Sequence, residues 1–539
     1  MVAIVCGMSP LMTPFDAMVA QDQEDRLTWF YVVPLSRLAG SGMAALRARI
    51  EGLPYDFPPN TSAVQLSSWR EKDELVADMA DRVTPICDLN LVDLLRAFLE
   101  HKRAKGSSIE RELYARMNPP ELFTRLLRKR PLAFWTPEDK YVLPSTEGPE
   151  GARQQKVAGR GGFEAIGSDD EQAPLLLADY LSYDEMQLSA LISVAVPTLF
   201  VNSGRRDSKC KAGEPGSFQE AGVMVACVGA RLVKDSLMEA KHMVIKPGAS
   251  GGVESRLAGG WAQLYGIDRF PSYAEAAKEC AEAATQKRQS RYHRIQESAS
   301  DAVSYLDGLV YKRRIRATVE PFLVYASQLG EEHRASTGHG AHVRAKGLGL
   351  GAWLVAPAQE VLMKEVYSEV MAERQLLGID VLEFAFFPSK DVPAGSGRIE
   401  VRASSCGFAE PVGERLLVAM YAWDGNAYPG NEWWAESGSG KYLTMSDDST
   451  AASCSLITSL QHPAVNVERL SGDVARFMRG GVDEDRLFPA WGSPRRAPLG
   501  GSAPDQERRF GRCEWLIGHI IAVFSRFVRV SLGGICDAR

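Results

Sequence analysis

Three runs of strand-forming, apolar residues in this chain end abruptly in polar loops that contain glycine. They are VAVPTLFVNSG (194–204), AHVRAKGLGLGAW (341–353) and LLVAMYAWDGNAYPGNEWW (416–434). Predicted helices follow the first two, beginning within KAGEPGSFQEAGVMV (211–225) and at PAQEVLMKEVYSEVMAERQ (357–375). An alternation of strands and helices predicts a layered α/β fold built on a largely parallel or mixed sheet flanked by helices.

The ends of these strands are where a binding site is expected. In α/β sheets, ligands bind outside the carboxyl ends of the strands. We therefore expect the three loops to meet on one side of the sheet. Their segments near Asn202, Gly349 and Asp424 would then form a single cleft.

The second loop, KGLGLGAW, carries three glycines at alternate positions, Gly347, Gly349 and Gly351. Because glycine has no side chain, these amides can approach an anion closely, and the dipole of a helix starting near Pro357 would favour negative charge. We interpret the loop as a diphosphate cradle. It lacks the GxGxxG spacing of dinucleotide-binding folds and the GK[ST] of a P-loop. The alternative is a tight turn that lets strand and helix pack closely.

The first loop supplies an amide and a carboxylate. Asn202 ends a predicted buried strand, where its side chain can hydrogen-bond to a ribose hydroxyl or a base edge. Gln219 and Glu220 follow a Pro-Gly turn at the predicted start of a helix, where the dipole favours an ionised carboxylate. Glu220 is therefore a candidate catalytic residue, and Asn202 and Gln219 are candidate ligand-binding residues. The alternative is ordinary helix capping.

The third loop combines a carboxylate, Asp424, with glycines, asparagines and aromatic residues. Glycine and asparagine tolerate unusual backbone angles, and aromatic rings offer faces on which a base or a sugar can stack. Asp424 is the second candidate catalytic residue. The candidate ligand-binding residues of this loop are Trp423, Gly425, Asn426, Tyr428, Gly430 and Asn431. The alternative is a loop packed on its own aromatic side chains.

The remaining sequence predicts three regions. We expect a helical N-terminal extension (1–107), a central domain (108–470) with a flexible insertion at 144–162, and a partly disordered C-terminal extension (471–539). Apolar periodicity predicts helices at 92–104, 108–130, 272–300 and 303–329, and further strands at 241–245, 379–387 and 398–404. The basic residues Lys312, Arg313, Arg314 and Arg316 are expected on a solvated helix face or beside phosphate.

Composition excludes several classes of function for this chain of 539 residues. Its net charge of −6 gives no general reason to bind nucleic acid or an anionic membrane. The nine cysteines are scattered without a CxxC motif, which favours free thiols in a reducing, cytoplasmic environment. No apolar run approaches the roughly 20 residues of a membrane span. We expect neither a metal site nor a cofactor, and nothing in the sequence indicates the oligomeric state.

The quoted motifs occur in an order and spacing that resemble a known family. PTLFVNSG, GEPGSFQEAGVMVACVGARL, GLGLGAW and LLVAMYAWDGNAYPGNEWW together resemble a family found in bacterial effectors and in eukaryotes, over residues 110–470. That family looks like a divergent branch of the macrodomain superfamily, nearest to poly(ADP-ribose) glycohydrolase. The resemblance implies a three-layer macrodomain-like fold that binds ADP-ribose or an ADP-ribosylated protein.

The resemblance also implies roles for individual residues. Asn202 would contact the distal ribose, and the late glycine-asparagine loop would place Asp424 near the same ribose. Gln219 and Glu220 resemble the start of the Gln-Glu-Glu signature of the glycohydrolases, but Ala221 stands where the second glutamate is expected. The implied function is an ADP-ribosylhydrolase acting on a modified side chain, for which arginine is the expected residue. The missing glutamate leaves a non-catalytic reader of ADP-ribose as the alternative.

Overall fold

The computed structural model describes most of the chain between residues 42 and 478. The described residues are 42–53, 72–135, 138–144, 156–205, 212–232, 237–295, 303–395, 397–428 and 460–478. The predicted ligand-binding residues Gly430 and Asn431 lie outside this part of the chain, as do most of the predicted C-terminal extension and much of the N-terminal one.

An eight-stranded sheet forms the centre of the described structure. In spatial order its strands are β12 (Glu400–Ser404), β11 (Ile379–Ala385), β10 (Ala341–Ala345), β13 (Leu416–Ala422), β6 (Ala221–Cys227), β5 (Ser193–Leu199), β1 (Thr84–Asp88) and β14 (Arg476–Met478). The five strands from β12 to β6 run parallel, and β14 runs parallel to β1. β5 is antiparallel to both of its neighbours, so it alone among the described strands of this sheet runs in the opposite direction.

Two smaller antiparallel sheets accompany the central one. The first comprises β2 (Ala133–Trp135), β3 (Lys140–Pro144) and β4 (Lys156–Arg160), and the second comprises β7 (Val244–Ile245), β9 (Ser304–Asp307) and β8 (Tyr292–Ile295). Strand β4 lies within the predicted flexible insertion 144–162. Strands β1 and β14 come from outside the predicted central domain 108–470, so the main sheet uses a longer stretch of the chain than that domain.

The helices surround the central sheet. In chain order they are α1 (Gly42–Glu51), α2 (Asp73–Asp81), α3 (Leu91–Lys105), α4 (Ser108–Tyr114), α5 (Pro119–Arg128), α6 (Tyr183–Ser189), α7 (Ala240–Met243), α8 (Arg256–Leu264), α9 (Tyr273–Thr285), α10 (Gly308–Thr337) and α11 (Ala358–Glu373). Reciprocal capping boxes start several of them; Asn118 and Glu121 exchange side-chain-to-backbone hydrogen bonds ahead of α5, for example. The long α10 packs on β1 and β10 and against α11. The fold is therefore mixed α/β, with a mostly parallel sheet flanked by helices.

Several predicted elements are confirmed, and one error has consequences for the site. The predicted helices at 92–104 and 357–375 correspond to α3 and α11, and that at 303–329 to most of α10. The helix expected after the Pro-Gly turn is wrong, because residues from Ala221 form β6, which pairs antiparallel with β5. The helix expected at 272–300 is too long, since α9 ends at Thr285 and the chain continues into β8.

Candidate functional site

The parallel strands β6, β10, β11 and β13 all end at one edge of the sheet. We call this the carboxyl edge (Cys227, Ala345, Ala385 and Ala422) and the opposite one the amino edge (Ala221, Ala341, Ile379 and Leu416). The loop that follows β6 touches both the loop that follows β10 and the loop that follows β13. The Trp423 amide donates to the Cys227 carbonyl at 2.8 Å, and a Cβ atom on Gly229 would lie 2.6 Å from the Gly349 nitrogen. This edge is where ligands bind in α/β sheets.

Asp424 organises the turn that follows β13. Its Oδ1 accepts hydrogen bonds from the amides of Asn426 at 2.8 Å and Ala427 at 2.9 Å. Gly425, between Asp424 and Asn426, has a φ of +77°, a conformation in which a side chain would be strained. A Cβ atom at this position would also lie only 2.8 Å from the Val228 side chain. The sequence Asp-Gly-Asn therefore fixes a tight turn with a carboxylate at its start, directly beyond a central strand.

Two arginines place positive charge around this carboxylate. Arg130 lies 4.2 Å from the centroid of the Trp423 ring and donates to the Ser189 hydroxyl at 2.9 Å. Arg231 follows β6 and forms a buried ion pair with Asp139. Asp424 is half-buried. Burial raises the pKa of Asp424, and this effect outweighs the opposing effects of the Ala427 and Asn426 amides and of the Arg231 and Arg130 charges.

The side-chain amide of Asn426 is buried, and no described residue forms a hydrogen bond with it. The residue is 3% exposed, and among the described residues neither Oδ1 nor Nδ2 makes a hydrogen bond. A buried polar group left without a hydrogen bond costs about 1–3 kcal/mol, so such groups require an explanation. A bound ligand that offers both a donor and an acceptor, as a sugar hydroxyl does, would satisfy this amide.

The glycine loop after β10 lies beside this turn. Gly349 has a φ of +70° and lies against the Ala230 carbonyl, whereas a Cβ atom on Gly351 would meet nothing within 4 Å. The following helix starts only at Ala358, and the Gln359 side chain accepts from the amides of Val355 and Ala356 at 2.7 and 2.9 Å. The loop backbone, rather than the helix start, is therefore the accessible donor surface here.

The aromatic residues of the third loop are packed inside the protein. Trp423 is buried against Arg130, and its Nε1 donates to the Ala427 carbonyl at 3.0 Å. Tyr428 is also buried, with its ring 4.4 Å from that of His462. For these two residues the structure matches the alternative of a loop packed on its own aromatics. Their buried rings pack against the protein interior next to the Asp424 turn and offer no exposed face on which a base or a sugar could stack.

The expected convergence of all three loops is wrong. Asn202 follows β5, whose last residue, Leu199, pairs with Ala221 at the amino edge. Gln219 and Glu220 immediately precede Ala221 and so lie at the same edge. The length of β6 separates that edge from Cys227 by about 20 Å at ~3.3 Å per residue. The structure thus brings the loops near Gly349 and Asp424 together and leaves the loop near Asn202 at the other edge.

The amino-edge residues have structural contacts of their own. The Asn202 Oδ1 accepts from the Gly204 amide at 2.9 Å, which closes a local turn. The Gln219 amide donates to the Ala409 carbonyl at 2.7 Å, and its side-chain oxygen accepts from Val412 at 3.3 Å. Ala221 opens β6 at this edge, so its missing carboxylate says nothing about the chemistry at Asp424. The reader alternative, which depended on Ala221, loses its support.

Sequence reasoning missed the arginines and Asp139. Arg231 stands four residues beyond Cys227, and the rule that functional side chains follow buried strands would have identified it had β6 been recognised. Arg130 comes from the end of a basic run, RKR, which carries no distinguishing signal.

In the described part of the chain, no group of three or more histidine, cysteine or acidic residues is arranged to hold a metal ion. None of the described helices is long and apolar enough to cross a membrane.

Comparison with known proteins identifies the family. The family model for MavL-like ADP-ribosylhydrolases matches residues 45–480. Two similar proteins of Drosophila melanogaster are both named ADP-ribosylarginine hydrolase. CG2909 is 28% identical over 460 residues, covering 78% of this chain and 84% of its own, and CG3568 is 29% identical over 465 residues, covering 79% and 84%. The family model spans most of the chain, including the glycine loop near Gly349 and the turn at Asp424, so this chain belongs to the MavL-like ADP-ribosylhydrolase family.

Proposed function

We propose that this chain releases ADP-ribose from arginine side chains of modified proteins, and that Asp424 acts on the bond that is broken. The family supplies the reaction class, and the names of the two Drosophila relatives supply arginine as the modified residue. The observation that supports placing the reacting bond beside Asp424 is the structure of the Asp424 turn. It combines a carboxylate whose pKa burial raises with a buried amide, Asn426, that has no partner among the described residues.

The reaction needs a group that handles positive charge and a proton at the anomeric carbon. The bond between that carbon and the guanidino nitrogen breaks through an oxocarbenium-like state, water adds to the carbon, and the leaving guanidine takes up a proton. An ionised Asp424 stabilises the developing positive charge and can accept a proton from the attacking water. Its raised pKa makes it a stronger base than an ordinary aspartate.

The remaining groups of the site hold the substrate. The amides around Gly347, Gly349 and Gly351 would hold the diphosphate, and Asn426 would hydrogen-bond to a ribose hydroxyl. Both contacts orient the anomeric carbon towards Asp424 and take no part in proton transfer. Descent of this fold from macrodomains remains a prediction that rests on the sequence motifs alone.

Three substrates test this proposal. The purified chain is incubated with proteins mono-ADP-ribosylated on arginine, on serine, or on aspartate and glutamate, and free ADP-ribose is measured over time. We expect release from the arginine-linked substrate and little from the other two. Binding of ADP-ribose without release from any of the three would overturn the enzymatic proposal, and faster release from serine or acidic residues would overturn its assignment to arginine.

A further inference from the structure

We propose that Asp139 is a positioning residue for the reaction at Asp424, because it holds the Arg231 guanidinium near that carboxylate and offsets part of its positive charge. This inference rests on the proposed function. Arg231 follows β6 and Asp424 follows β13, which pairs in parallel with β6, so both residues lie at the carboxyl edge. Asp139 comes from another part of the fold, the connection between β2 and β3 of the small sheet β2–β4.

Asp139 is a buried carboxylate in a turn that backbone contacts hold. It is completely buried, although Glu138, immediately before it, is exposed. Its φ is +50°, a left-handed conformation that aspartate adopts more readily than most residues. The Gly161 amide, just after β4, donates to the carbonyls of Glu138 at 3.0 Å and Asp139 at 3.2 Å. The turn thus directs one of two adjacent carboxylates into the interior, where a charge requires a partner.

Two buried side chains donate to this carboxylate. The Arg231 guanidinium donates to Oδ1 of Asp139, and the Tyr183 hydroxyl donates to Oδ2. Burial, together with the hydrogen bond to Asp139, raises the pKa of Tyr183, so its hydroxyl stays protonated and remains a donor. Both oxygens of Asp139 are therefore engaged, which fixes the carboxylate in the orientation that receives Arg231.

Arg231 is held at its backbone and at its guanidinium. Its amide donates to the Glu239 carboxylate at 2.9 Å, and its guanidinium carbon lies 5.0 Å from the centroid of the Phe134 ring on β2. The residue is only 5% exposed. Strand β2 supplies the ring and the β2–β3 connection supplies the carboxylate, so the small sheet determines where this positive charge lies at the carboxyl edge.

The position of this charge matters for the basicity of Asp424. Burial raises the pKa of Asp424, and the charges of Arg231 and Arg130 lower it. An arginine without a counter-ion would lower it further and make Asp424 a weaker base. Asp139 offsets part of the Arg231 charge, so Asp424 keeps the basicity that proton transfer from water needs. Further charged or titratable groups of the described chain face this cluster: Arg130, Glu164, Tyr183, Glu239 and Tyr428.

The pH profile of kcat/KM on the arginine-linked substrate tests this assignment. We expect kcat/KM to fall at acidic pH, where Asp424 takes up a proton. Asp139→Asn removes the offsetting charge, so it should move this fall to lower pH by about 0.5–1 unit and lower kcat at neutral pH by about 3- to 10-fold. Asp139→Asn combined with Arg231→Met removes both charges and should move the fall to higher pH than in the unaltered protein. Glu138→Gln, at the exposed neighbouring carboxylate, is the matched control and should leave the profile unchanged.

The opposite directions of the two shifts distinguish positioning from packing. A merely structural role for Asp139 predicts lower activity or a lower thermal unfolding midpoint, with both profiles unmoved or moved in the same direction, and that result would overturn the inference. The double variant removes both buried charges, so it should fold even where Asp139→Asn does not, and an unmoved profile in it overturns the inference by itself. If the unaltered protein releases no ADP-ribose from the arginine-linked substrate, the proposed function fails, and this inference fails with it.

Discussion

Asp424 has a structural and a chemical role, and one substitution separates them. Its Oδ1 accepts two backbone hydrogen bonds that form the turn, while its charge is the property that the proposed chemistry needs. Asparagine keeps the accepting oxygen and removes the charge. We expect Asp424→Asn to lower kcat by about 100- to 10,000-fold, with the thermal unfolding midpoint and ADP-ribose binding close to those of the original protein. Activity retained within a few-fold would mean that another group acts on the glycosidic bond.

The raised pKa of Asp424 predicts an acidic limb in the pH profile. If the ionised form is required, kcat/KM falls as pH drops through the pKa of this carboxyl, which lies above the ~3.9 of an ordinary aspartate. Arg130 opposes the increase through its charge, and among the described residues it donates to the Leu126 carbonyl and the Ser189 hydroxyl rather than to a carboxylate. Arg130→Met should therefore move the acidic limb to higher pH, and Arg130→Lys should move it less. A shift to lower pH after Arg130→Met would contradict this electrostatic account.

At the scale of elements, three of the four basic residues of α10 are paired with carboxylates, whereas Arg313 is exposed, as expected of a solvated face. Lys312 pairs with Glu365 and Glu369 of α11. Arg314 is fully buried, pairs with Glu239 and donates to the Val228 carbonyl at 3.2 Å, directly beneath the loop that follows β6. Neither the solvated face nor the phosphate site expected from the sequence is correct for these two. The positions of these two side chains are set by ion pairs with glutamates that lie more than 50 residues away in the sequence.

Removing Arg314 should destabilise the fold strongly. Arg314→Met would leave Glu239 as an unpaired buried charge, which costs about 3–5 kcal/mol in the free energy of unfolding. Arg313→Met on the same helix is the control, because Arg313 is exposed and such substitutions stay within about 0.5 kcal/mol. Urea denaturation measures both. Adding Glu239→Gln to the Arg314→Met variant should recover part of the loss, and no recovery would show that the charge is not the cause.

Two glycines at the carboxyl edge should respond differently to alanine. A Cβ atom on Gly229 would collide with the glycine loop, so Gly229→Ala should lower the free energy of unfolding by about 1–3 kcal/mol. Gly351 has room for a Cβ atom within the protein, so Gly351→Ala should leave stability unchanged. If Gly351 borders the diphosphate, that variant raises KM by about 10- to 100-fold. An unchanged KM would remove Gly351 from the site.

Local signals in the sequence identified helices better than strand partners. Asn118 with Glu121 is a local capping pattern, and the apolar periodicity of α11 is visible within one segment. The sequence wrongly predicted a helix within residues 211–225, because Pro-Gly followed by Gln-Glu resembles a helix start. The pairing of β5 with β6, for example of Val194 with Ala226, makes this segment a strand instead. A pairing between residues so far apart along the chain leaves no periodic signal in the segment itself, so local patterns could not reveal it.

At the scale of the whole molecule, one strand direction decides which residues share a site. The sequence analysis placed the candidate groups at strand ends, and Asp424, Asn426 and the glycine loop do follow neighbouring parallel strands. It assigned Asn202 and Glu220 to the same edge because the three loops that follow predicted strands were expected to meet on one side of the sheet. The antiparallel β5 reverses that assignment. Arg231 gave no motif, since its position near Asp424 arises only from the adjacency of β6 and β13 in the sheet.

The separation of the two edges predicts different outcomes for the two carboxylates first considered catalytic. Glu220 is exposed at the amino edge, about 20 Å from the end of β6, so it cannot reach a bond held at Asp424. Glu220→Gln should therefore leave kcat, KM and ADP-ribose binding unchanged, whereas Asp424→Asn should lose turnover. Both variants are measured on the arginine-linked substrate in the same preparation. Loss of turnover in Glu220→Gln, with unfolding unaffected, would place the reacting bond at the amino edge and overturn the site at Asp424, because no single substrate bond can contact both ends of β6.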